Sequence, residues 1–164
     1  MHIQVFLTLA LAVGLTPHMA TAEQSWRSIS QDGYGAIICP GSKEMAEMGH
    51  FFCVSLECEA EQAPLEYWIR ITGGGTTSNF FPATLSVDGQ KPAELFFQKT
   101  PETNYSEYRA PFDPQIHPRL IEALQKGMQA LIVLDPAGDD IEKDIPLAGS
   151  KTAIQHALRR CRLP

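Results

Sequence analysis

Four cysteines constrain this chain more than any other feature: Cys39, Cys53, Cys58 and Cys161. An even number suits two disulfides, with three ways to pair them. The stretch FFCVSLEC alternates, with Phe52, Val54, Leu56 and Cys58 on one side and Phe51, Cys53, Ser55 and Glu57 on the other. On one extended strand Cys53 and Cys58 stand about 16 Å apart and face opposite ways. A disulfide needs its Cα atoms within ~7 Å, so those two do not bond to each other. Of the two remaining pairings, the pattern favours Cys58 with Cys161 and Cys39 with Cys53. Cys58 belongs to the apolar side of its strand. Cys161 falls on the apolar stripe of a C-terminal helical segment with Ala153, Ile154, Ala157 and Leu158. A metal site is the weaker reading, because no CxxC occurs and no histidine stands at ligand spacing from a cysteine.

Disulfides imply an oxidising compartment, and the first residues point the same way. Val5 to Leu15 is an uninterrupted apolar run, followed by Pro17 and by Ala20-Thr21-Ala22. This reads as a signal peptide over residues 1–22. The run is too short for a membrane span, which needs ~20 apolar residues. Residues 23–164 form a single domain, long enough to bury a core of its own. No integral membrane segment is expected after cleavage, and the location is periplasmic or secreted. The formal charge of −6 argues against nucleic acid as a partner.

Most of the domain has a period of two. YGAII, FFCVSLEC, LEYWIRIT, ATLSV, ELFFQ, YSEYRA, MQALIVLD and IEKDIPL read as about eight strands. Asp88-Gly89 is a hairpin turn signal. Pro118 opens one helical segment that Gly127 closes. Ser150 is the expected N-cap of a second, which ends in Arg159, Arg160 and Cys161. The fold class is mainly β. We expect an antiparallel β-sandwich with two short α-helices, the last one C-terminal and tethered by a disulfide.

No catalytic signature stands out. AGSKT lacks the first glycine and the Gly-Lys adjacency of a phosphate-binding loop, and no G-x-S-x-G elbow occurs. The acidic stretch from Asp135 to Asp144 lacks calcium-loop spacing. No metal or cofactor is expected. Trp68 faces away from the apolar side of its strand, flanked by Glu66 and Arg70. These three make a candidate contact surface, although the favoured reading is that a helix or loop covers Trp68.

The segment LIEALQKGMQALIVLDPAGDDIEKDIPLAGSKTAIQHAL resembles the C-terminal part of the invasion-associated locus B family of exported bacterial proteins, or a related periplasmic β-sandwich family. The resemblance rests on Leu124 to Gly127, the strand Ala130 to Leu134, and Leu147-Ala148-Gly149, with the hairpin Ser86 to Gly89. It implies a non-enzymatic envelope or secreted protein linked to host interaction. We expect the protein to act by binding, in an accessory, adaptor or host-interaction role, its partner an envelope or host protein or a glycan. It supplies no catalytic residues. Two other classes stand beside binding. One is a small periplasmic hydrolase built on His50 or His117 with a distant carboxylate. The other is a structural envelope component.

Overall fold

A computed structural model describes residues 25–29, 33–41, 51–72, 78–90, 92–100, 106–115, 119–135 and 141–163. The segment read as a signal peptide, together with His50, His117 and Pro118, lies outside the described residues.

Nine strands form one antiparallel sheet: β1 (Arg27–Ile29), β2 (Tyr34–Ile38), β3 (Phe52–Cys58), β4 (Glu66–Ile71), β5 (Phe80–Val87), β6 (Ala93–Lys99), β7 (Ser106–Pro111), β8 (Gln129–Leu134) and β9 (Ile141–Pro146). Their order across the sheet is β1-β2-β3-β4-β7-β6-β5-β8-β9. The antiparallel β-rich class is the one the alternation implies. Eight strands coincide with the expected segments, and β1 is additional. The two layers of the expected sandwich are the two halves of a single curled sheet. They join where β6 meets β7, through Gln98↔Arg109, Lys99↔Tyr108 and the Thr100 amide donating to the Glu107 carbonyl at 2.9 Å.

One face of the curl encloses the core. Successive rungs place Leu56 beside Tyr67, Val54 beside Ile69 and Ile69 beside Tyr108. In the other half Phe81 pairs with Phe97, and Leu85 with Ile132. All nine side chains are buried in one cluster. Phe81 links the halves, stacking on Phe97 at 5.9 Å and meeting Tyr108 edge-on at 4.9 Å. Burying an aromatic or branched side chain stabilises by roughly 1.5–3 kcal/mol, so these rungs carry much of the fold.

The curl returns β1 to the end of β9. The Trp26 amide donates to the Ala148 carbonyl at 2.9 Å, and its indole Nε1 to the Pro146 carbonyl at 3.1 Å. Gly149 makes that approach feasible. It has φ 77°, and a Cβ there would lie 2.8 Å from the Trp26 carbonyl oxygen. The Asp88-Gly89 turn has φ 48° and 70°, the signs a type I′ hairpin requires. The Asp88 carboxylate also accepts the amides of Met128 at 3.1 Å and Gln129 at 3.0 Å, anchoring the start of β8.

Two helices close the open side. α1 (Leu120–Lys126) buries Leu120 and Leu124 and ends at Gly127, whose amide donates to the Ala123 carbonyl. α2 (Ser150–Arg160) buries Ala153, Ile154 and Ala157 and packs on β1, β2, β3 and α1. Gly149, not Ser150, is its N-cap. Ser150 is the first helical residue, and its buried hydroxyl donates to the Leu124 carbonyl at 2.7 Å, pinning α2 to α1. Cys58–Cys161 then staples α2 to β3, and Cys39–Cys53 joins β2 to β3. Beyond Cys161, the Arg162 amide donates to the Ala63 carbonyl at 2.8 Å and its carbonyl accepts from Leu65 at 2.9 Å. Two disulfides fit a non-cytoplasmic, oxidising compartment. Among the described residues, no helix is long and apolar enough to cross a membrane.

Candidate functional site on the outer sheet face

The outer face of β3, β4, β7, β6 and β5 carries a continuous run of polar and aromatic side chains. Register fixes it. Ser55 lies opposite Trp68, Trp68 opposite Arg109, Arg109 opposite Gln98, and Gln98 opposite Phe80. One rung along, Cys53 faces Arg70 and Arg70 faces Glu107. On the other side, Gly35 faces Glu57 and Glu57 faces Glu66.

Arg70 organises the left part of this face. Its Nη1 donates to Glu57 Oε1 at 2.6 Å and its Nε to Glu107 Oε2 at 2.8 Å. The Ser55 hydroxyl donates to Glu57 as well, and the Thr100 hydroxyl to Glu107 Oε1 at 3.1 Å. Both carboxylates are buried, where an unpaired charge is very costly. Burial opposes the charge of Arg70, but hydrogen bonds and attraction from Glu57 and Glu107 outweigh it, so its pKa rises. Gly35 leaves the room this needs, since a Cβ there would lie 2.5 Å from Glu57 Cβ.

Trp68 is on the outer face, as alternation requires, yet only 7% of it is exposed. The guanidinium of Arg109 lies 3.7 Å from its ring centroid and that of Arg70 lies 4.8 Å away. Cations favour the face of an indole by roughly 0.5–2 kcal/mol. Arg109 is held in turn by Glu59 and by Glu107 at 3.4 Å. Trp68 is therefore covered, the reading favoured from the sequence, but by two arginine side chains and not by a helix or loop. Glu66 is half-buried at the rim. Burial raises its pKa most; Arg109 opposes that, and the neighbouring Glu59 and Glu57 add to it.

Among the described residues, the large exposed aromatics are Phe80 and Phe96, 58% and 53% exposed. Their rings run nearly parallel, 11° apart, with centroids at 6.1 Å. Each belongs to a Phe-Phe doublet whose other member, Phe81 or Phe97, enters the core. On a strand a doublet must send one ring to each face. That signal was available in both strands. It is hidden in FFPATLSV because Pro82 suggests that the strand begins later. Pro82 is accommodated because β8 pairing starts at Ala83; beyond it the Pro82 carbonyl accepts the Asp135 amide at 3.1 Å.

A second feature is a groove of about 460 Å³ where Pro40 and Gly41 approach Met128, Lys143, Asp144 and Pro146. Met128 is 82% exposed beside it. His156, on α2, is half-buried and away from both features. Among the described residues, no three His, Cys, Asp or Glu side chains are arranged to hold a metal. Glu57 and Glu107 on the outer face are engaged by arginines, and the face presents aromatic surface and guanidinium edges beside them. No family model, curated protein or solved structure matches the chain.

Proposed function

We propose that this is an exported, non-enzymatic protein of the periplasm or the extracellular space that acts by binding, through the outer face of β4, β7, β6 and β5. The observation that carries the reading is the parallel pair Phe80 and Phe96, exposed beside the rigid Trp68–Arg109 stack. Large exposed apolar side chains grouped on a sheet favour a contact surface. Aromatic and arginine side chains are the types that dominate binding energy at interfaces. The cross-linked network behind them holds that surface in one shape, which lowers the entropic cost of association. The resemblance of the C-terminal third to exported envelope proteins supports the same role, as an accessory, adaptor or host-interaction protein whose partner is a protein or a glycan.

The test compares the wild-type domain with a Phe80→Ser, Phe96→Ser variant as baits for an envelope extract and for host-surface material. We expect a reproducible protein or glycan partner that the wild type retains and the variant loses by at least about tenfold, as for paired aromatic anchors. Equal retention by both would remove the outer face as the site.

A further inference from the structure

We propose that the Cys39–Cys53 disulfide is a thiol-exchange site, attacked at Cys39 by a small thiolate, while Cys58–Cys161 stays a fixed structural bond. The two bridges lie on opposite faces of β3. Cys58 and Cys161 are both members of the core cluster, and both sulfurs lie against the Tyr34 carbonyl oxygen, at 3.6 and 3.2 Å. α2 covers that side, and the backbone bonds of Arg162 to Ala63 and Leu65 hold the tail over it.

Cys39–Cys53 is placed differently. Ile38 pairs with Val54, so the next residues, Cys39 and Cys53, face each other across the end of the β2–β3 ladder with Cα atoms 4.1 Å apart. Cys53 is buried, whereas Cys39 is half-exposed and stands outside the core cluster. Exchange requires a thiolate to approach a sulfur in line with the S–S bond, so access decides which sulfur is attacked. Cys39, the less buried of the two residues, is therefore the end of the bridge open to attack in this proposal.

The step balances with a thiol as the named co-reactant. The attacking thiolate bonds to Cys39 Sγ, the Cys39–Cys53 bond breaks, and its electron pair leaves on Cys53 Sγ, which takes a proton from solvent. A monothiol stops there as a mixed disulfide on Cys39. A dithiol closes on itself, releasing Cys39 as a second thiol and leaving as its own disulfide after giving up two electrons. The rungs Ile38↔Val54 and Ile37↔Ser55 continue to hold β2 on β3, as does α2. The freed Cys53 faces Arg70 across the β3–β4 ladder, so the redox state borders the outer-face ion network.

The experiment treats the oxidised protein with glutathione in one arm and dithiothreitol in the other. Timed alkylation and peptide mapping follow, in buffer and in guanidinium. The expected result in buffer is release of Cys39 and Cys53 at least about tenfold faster than Cys58 and Cys161, with unchanged circular dichroism. Glutathione should be found on the Cys39 peptide, and the difference in rate should vanish in guanidinium. Equal rates in buffer, a glutathione adduct on Cys53, or a rate difference that persists after unfolding would each overturn the proposal.

Discussion

Arg70 is the side chain on which the outer face depends. It neutralises two buried carboxylates at once, at 2.6 and 2.8 Å. Arg70→Met keeps much of the stem that packs beside Trp68 but leaves Glu57 and Glu107 without it. Breaking a buried ion network from one side costs about 3 kcal/mol, and a urea titration should show that loss. Glu66 has the opposite sign. Its folded pKa lies above the ordinary 4.5, so its contribution to stability is fully present below the unfolded pKa and is lost as pH rises through the folded value. Glu66→Gln should therefore melt higher than the wild type at neutral pH and at the same temperature in acid. The gain stays below about 1 kcal/mol, because solvent screens a half-buried group. Thermal scans across that pH range check it.

Helix α2 and its attachments close the curled sheet, and two local devices that hold them can be tested. Gly149→Ala puts a Cβ against the Trp26 carbonyl at φ 77°. We expect about 1–3 kcal/mol of destabilisation, with faster amide exchange at Trp26 reporting the opened seam. The Cys58–Cys161 bridge spans 103 residues. A double Cys58→Ala, Cys161→Ala variant should lose about 4–5 kcal/mol in the chain-entropy model, with α2 amides the first to lose protection. The alternation of FFCVSLEC and the stripe on α2 were enough to place this bridge, because both cysteines lie on strongly patterned amphipathic segments. Trp26 and β1 were not legible. A three-residue edge strand has no periodicity of its own and is held by contacts about 120 residues away. Ser150 misled for a related reason. Its hydroxyl has a tertiary acceptor on α1, and local capping rules do not see that. Trp68 lies on the expected face and is covered, as favoured, but by arginines instead of a helix or loop. Alternation reports the side of a sheet and says nothing about which neighbouring arginines fold over it.

For the molecule as a whole, the curl gives its two faces different work. The concave face is filled by one apolar cluster, and the convex face is rigidified by ion pairs and topped by two parallel phenyl rings. The last strand of the sheet, β9, carries Glu142, Lys143, Asp144 and Pro146, residues that discourage strand-to-strand aggregation. On the binding reading proposed above, association uses the outer face instead. Hydroxyl-radical footprinting of the domain, free and bound to the partner it captures, is the most direct measurement. Protection concentrated on Phe80 and Phe96, with Met128 beside the groove still reactive, is the predicted result. Protection of Met128 with both phenylalanines unchanged would contradict it.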